Sequence, residues 1–136
     1  MKRLFWAVFI VVAISGPVAA KDHINIEMCH GPRAKEAIQI VKNYNISQGL
    51  SIGKMVERSL RGDKYDWSAE IIGDGEEYAV YVEYNNGGIV NGKMAWDGFM
   101  WTVNMKHRDI NPDDVEKSIE RFGDGHPKIK RNYRAQ

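Results

Sequence analysis

An α+β fold is what this 136-residue chain predicts: an antiparallel meander of three to four strands, short helices packed on one face, and a further C-terminal helix. Three observations predict it. Between Ser51 and Gly62, Ile52, Met55, Val56, Ser59 and Leu60 recur at the spacing of one helical face. Between Trp67 and Met105 the apolar period changes to two, in three separate segments. Between those segments stand Gly73-Asp74-Gly75, Asn85-Asn86-Gly87-Gly88, Asn91-Gly92 and Asp97-Gly98, residues that accept positive φ at low cost. Strands with a single dry face belong to antiparallel sheets covered on one side.

The central helix carries its own end signals. Ser51 offers a hydroxyl oxygen to an orphan amide of the first turn, and Gly62 tolerates the left-handed conformation that closes the last. In the first strand Trp67, Ala69 and Ile71 face the core. In the second, Tyr78, Val80, Val82 and Tyr84 do, and in the third Trp101, Val103 and Met105. Asp97-Gly98 reads as the tightest hairpin turn, joining Lys93–Trp96 to Phe99–Lys106, with Asn91-Gly92 turning a shorter hairpin before it. The alternative reading makes residues 85–98 one long loop.

Two further helices flank this unit. Gly31-Pro32 opens one running to about Asn43, with Ala34, Ala37, Ile38 and Val41 on one face, although Ile38–Val41 also fits a short strand. Residues 111–123 form the other: Asn111 caps it, Pro112 takes the first position, Asp113 and Asp114 suit the positive end of the dipole, and Gly123 ends it. Val115, Ile119 and Phe122 supply its apolar stripe. Before both, His23–Met28 alternates as an edge strand or extended arm.

The first twenty residues have the pattern of a secretory signal. Lys2 and Arg3 precede an apolar run from Leu4 to Ile14, then Gly16-Pro17, and small residues at Val18 and Ala20 set cleavage after Ala20. An uncleaved anchor is the alternative, but the run is shorter than the roughly 20 residues that span a bilayer. The domain plan is thus a signal peptide over 1–20, a single α+β domain over 21–123 and a basic tail over 124–136. Cleavage would leave 19 − 2 = 17 basic against 18 acidic residues, a net charge of −1. A balance so near neutral gives no reason to expect a nucleic-acid partner. Export places the chain in an oxidising compartment, where its one cysteine has no internal partner, so Cys29 is either a free thiol or bonded to another protein.

Candidate chemistry is sparse. Cys29-His30 pairs a nucleophile with a base, but neighbours on an extended chain point to opposite sides, and no third group orients them. His23, Cys29, His30, His107 and His126 are metal-ligand types without metal-ligand spacing, and Gly73–Glu77 lacks the alternating acids of a calcium loop. The sequence therefore assigns no catalytic residue, cofactor or metal. Most aromatic residues fall on core positions. Tyr81, by parity, stands on the polar face beside Glu83, and Trp96 lies near a loop, which makes these two candidate binding anchors. Lys128, Lys130, Arg131 and Arg134 make the tail positive, suited to an acidic partner surface or weakly to anionic lipid.

The order Val41-Lys42-Asn43, Ser51-Ile52-Gly53-Lys54 and Trp67 ahead of a strand meander resembles small exported bacterial domains of mostly unassigned function. Two helices before an antiparallel meander are also similar, at fold level, to beta-lactamase-inhibitor-protein-like and outer-membrane barrel-assembly lipoprotein domains. That resemblance covers residues 41–105 and implies protein binding without catalysis. The chain departs from the lipoprotein pattern in lacking its cysteine and in carrying a C-terminal helix, so no partner or site residue carries over. The expectation is an exported, periplasmic or secreted interaction module for another envelope protein. The alternatives are a small-ligand carrier with a pocket between sheet and helices, or a small envelope enzyme using a histidine.

Overall fold

The computed structural model describes residues 23–123. The signal-peptide assignment and the four cations of the tail lie outside the described residues. The strands are β1 (His23–Ile24), β2 (Asn45–Ser47), β3 (Leu50–Ser51), β4 (Tyr65–Ile72), β5 (Glu77–Val90), β6 (Lys93–Asn104) and β7 (Asp109–Ile110). The helices are α1 (Ala34–Lys42), α2 (Ile52–Ser59) and α3 (Pro112–Phe122), with a 3-10 turn over Ile26–Met28.

The α+β class holds, but the sheet is larger than the three- to four-stranded meander expected. Five strands run in the order β1-β4-β5-β6-β7, and β2 and β3 form a separate two-stranded ribbon. All pairings in the large sheet are antiparallel except β1 with β4, where His23 lies beside Asp66 and Ile24 beside Trp67. The strand expected over His23–Met28 is thus only two residues long before the chain turns. Two residues carry too little periodicity to reveal a parallel partner.

Two of the three helices are capped by the residues their sequence offers, whereas α1 starts after Arg33 with no side-chain cap. The Ser51 hydroxyl accepts from the Lys54 amide at 3.2 Å, and the Asn111 side chain accepts from the Asp113 amide at 2.9 Å. Ala34, Ala37, Ile38 and Val41 of α1, Ile52, Met55 and Val56 of α2, and Val115 and Phe122 of α3 are buried. They meet Trp67, Ala69, Tyr78, Val80, Val82, Tyr84, Trp101 and Val103 in one core cluster. The tryptophans of β4 and β6 stack across β5 with centroids 5.6 Å apart, and Phe122 lies 6.4 Å from Trp101. Ile71, expected in this core, is 39% exposed. It sits near the end of β4, just before the Gly73 turn, at the margin of the helical cover.

The largest correction concerns the hairpin. Its turn is Asn91-Gly92, with φ of 53° and 78°, both in the left-handed region. Val90 pairs with Lys93 across those two residues, the arrangement whose twist matches that of the flanking strands. Asp97 and Gly98, expected as the turn, lie mid-strand opposite Tyr84 and Glu83. The turn expected at Asn91-Gly92 is thus present, but residues 85–98 are not a loop, and the hairpin it closes is not short: they form the outer half of a long two-stranded arm. Asn86–Gly88 bulge opposite Ala95, where the register shifts between Asn85 and Ile89. The Asn85 side-chain oxygen accepts from the Gly87 amide at 2.6 Å and holds the bulge in shape.

One surface ion cluster has a pH consequence. Arg33 holds Glu36 through two bonds of 2.8 Å, and Arg108 donates to the same carboxylate. These bonds to Arg33 first and Arg108 second lower the Glu36 pKa to about 2. A depressed carboxylate stabilises the fold above its ordinary pKa of about 4.3, and that stability fades as pH falls toward 2. The expected result is an acid-limb loss of stability between those values that is smaller in Glu36→Gln, modest in size because the cluster is exposed. Thermal melts at pH 5, 4, 3 and 2.5 check it.

Candidate functional site

The helices cover one face of the sheet, and the register fixes what the other presents. On β5 that open face carries Glu77, Ala79, Tyr81, Glu83, Asn85 and Ile89, and on β6 Met94, Trp96, Gly98, Met100 and Thr102. β4 adds Asp66, Ser68 and Glu70. In the middle Ala79 and Ser68 are buried, at 2% and 6%, because small side chains lie between larger ones. Toward the arm the surface becomes apolar and open. Ile89 is 71% exposed, Met94 58%, Trp96 53% and Met100 42%. Val90, at 59%, adds apolar surface beside the turn.

Two of the anchors named from sequence belong to this face. Tyr81 is half-buried rather than free, and its hydroxyl donates to Glu70 Oε2 at 3.4 Å. Partial burial, then the charge of and bond to Glu70, then Glu83, push its phenol above the ordinary value. It therefore stays a neutral donor with an apolar ring. Trp96 is not beside a loop but within β6, opposite Asn85. Gly98, between Trp96 and Met100 on the same face, has no side chain, so a shallow dip separates the indole from the thioether beside Tyr81 and Glu83. The Asn85 amide donates to Met94 Sδ at 3.0 Å, which ties the outer side chains to the arm.

Within the paired strands the charges on this face have one sign, while exposed Lys64, just before β4, lies opposite Asn85 at its margin. Asp66, Glu70, Glu77 and Glu83 belong to it, as does Asp109 of β7, and no lysine or arginine of the paired strands does. His23 of β1 meets Asp66 at 2.7 Å. The face thus combines carboxylates with exposed Trp and Met and the half-buried Tyr81, side chains enriched in the centres of protein contacts. Sequence reasoning missed Met94, Met100 and Ile89. Met94 and Met100 were assigned to two strands folded back on each other at Asp97-Gly98, and only the turn at Asn91-Gly92 puts them on one continuous strand and one face with Ile89.

The remaining candidates do not converge. Cys29 is partly buried against the core, and its thiol donates to the Asn25 carbonyl at 3.4 Å. His30 bridges to β4 through its backbone, donating to the Ala69 carbonyl and accepting from the Ile71 amide, while its side chain is exposed. His107 is exposed at the β6–β7 turn, its amide donating to Asn104. Among the described residues no three His, Cys, Asp or Glu side chains stand close enough to hold a metal ion. The layer between sheet and helices is filled by Trp67, Trp101, Tyr78 and Tyr84, each 1% exposed or less. A depression of about 440 Å³ lies instead at the β6–β7 end, lined by Tyr44, Glu77, Asn104, Asp109 and Pro112 among others. No family model matches this chain, and neither does any curated protein or solved structure.

Proposed function

We propose that the protein is an exported, non-catalytic interaction module that binds another protein of the cell envelope through the open face of its sheet. The observation that carries this reading is the contiguous exposed set Trp96, Met100, Met94 and Ile89 beside Tyr81, on a face whose strand charges are all carboxylates. A partner suited to it presents an apolar side chain to the dip over Gly98 and lysine or arginine around it. Methionines adapt to the shape of what they meet, and the indole supplies a rigid anchor. The acids steer a cationic partner and favour its register more than they add affinity. The fold-level resemblance to protein-binding envelope domains points the same way.

The carrier reading is weakened by the filled layer between sheet and helices, and the histidine-enzyme reading by the wide placement of His30 and His107. Affinity capture from the envelope fraction tests the proposal, with wild type, Trp96→Ala and Cys29→Ser in parallel. The expected result is one dominant partner, whose affinity falls about 30-fold with Trp96→Ala, a hot-spot effect of about 2 kcal/mol. Retention in Cys29→Ser separates surface recognition from a mixed disulfide. Equal capture by Trp96→Ala, or recovery of a small molecule in place of a protein, would sink it.

A further inference from the structure

We infer that two copies of this chain join edge to edge through β6, making the sheet continuous across a two-fold axis at Ala95. This goes beyond the proposed function, because it adds pairing through the backbone edge of the arm to recognition by the face of the sheet. On the inner side β6 pairs with β5 along its length, whereas on its outer side β7 pairs only with Val103 and Asn104. The Asn111 amide donates to the Thr102 carbonyl, which fixes the even-numbered residues of β6 as those whose backbone points outward. Outward groups at Thr102 are satisfied by Asn111 and Asp114, and Arg121 donates to the Gly98 carbonyl at 3.4 Å. Below Gly98 the outer edge has no neighbouring strand among the described residues, and Met94 and Trp96 offer both N–H and C=O to a new one.

An open edge with exposed apolar side chains is a template for strand pairing, and several features favour a second copy as its occupant. With Ala95 on the axis, Met94 of one chain faces Trp96 of the other in both hydrogen-bonded pairs, a sulfur–aromatic contact made twice. Lys93 of one chain then faces Asp97 of the other, also twice, so the edge is complementary in charge to itself. Registers shifted toward Asp97 are poorer. Moving the axis to Trp96 directs Met94 to the engaged carbonyl of Gly98, and moving it to Asp97 sets two carboxylates opposite each other. The antiparallel pair also closes: each edge covers the other, as a two-fold contact requires. Trp96 and Met100 of both copies then share one side of an extended, acidic sheet.

Sedimentation of the full chain over micromolar to near-millimolar concentration tests the inference. Wild type is expected to dimerise. Lys93→Asp and Asp97→Lys each set like charges opposite twice and are expected to raise the dimer Kd about tenfold, since cross-strand pairs contribute up to about 1 kcal/mol each. The double variant Lys93→Asp/Asp97→Lys restores the opposition and the wild-type Kd. Circular dichroism matching wild type in all three shows that the arm still folds. A wild type monomeric throughout overturns the inference, and so does a monomer that pairs only when a foreign extended peptide is added. A dimer in which both single variants weaken association without rescue in the double overturns this register.

Discussion

Replacing Trp101 by alanine is expected to cost about 3–5 kcal/mol of folding stability, the range for removing a large aromatic side chain from a packed core. Trp101 is fully buried and is the point at which the aromatic groups of the core meet. It stacks on Trp67 at 5.6 Å, takes Phe99 edge-on at 4.7 Å and lies 6.4 Å from Phe122. Those partners come from β4, β6 and α3, so no single element can relax into the vacated space. A domain stable by about 5–15 kcal/mol loses a large share of that margin. Trp101→Phe is expected to recover most of it, since a ring still fills the layer and the indole N–H, buried without a hydrogen-bond partner among the described residues, is removed. Urea unfolding of the three proteins measures both differences. Trp96→Ala, on the exposed arm, is expected to move stability by less than about 0.5 kcal/mol. A binding loss in that variant therefore reports on the surface and not on the fold.

Gly31→Ala is the second large effect, expected to destabilise by at least about 2 kcal/mol. Gly31 has φ of +109°, a conformation in which a β-carbon is strained whatever the space around it. The space is also taken: an added Cβ would stand 2.6 Å from the Tyr78 hydroxyl, 2.9 Å from its ring and 3.0 Å from Ile71 Cβ. Tyr78 is 1% exposed and cannot swing outward. Its hydroxyl accepts from the Arg33 amide at 2.9 Å, just before the first turn of α1, so the close approach of glycine to tyrosine seats that helix on the sheet. Tyr78→Phe alone loses one hydrogen bond, about 1 kcal/mol. In that background Gly31→Ala is expected to cost less than in wild type, because the nearest clashing atom is gone. An additive pair of free energies would show that the hydroxyl contact adds nothing to the cost set by backbone strain and by the ring and Ile71 contacts.

The parts of the fold legible in the sequence are those encoded locally. Ser51 and Asn111 cap their helices as their side-chain chemistry dictates, and Tyr78, Val80, Val82 and Tyr84 face inward because a strand alternates at a period of two. Parity also placed Tyr81 on the polar face, though it did not reveal Glu70 as its partner, since that bond joins different strands. The hairpin was misread because Asn91-Gly92 and Asp97-Gly98 have nearly the same turn chemistry. What separates them is pairing. Only a turn at Asn91-Gly92 lets Trp101 lie opposite Val80 while Val90 meets Lys93, with the extra residues absorbed at Asn86–Gly88.

By itself, then, the sequence determined the helices and most of the inward face of the three long strands, because these depend on neighbours within a turn or two of the chain. Tertiary structure alone decided that β1 joins β4 in parallel, that Met94, Trp96 and Met100 share a face with Tyr81, and that among the described residues no strand pairs with the outer edge of β6 below Gly98. Those outcomes depend on strand register. Register is settled by which long-range pairing buries Trp67, Trp101 and Phe122 together, a competition that no local pattern contains.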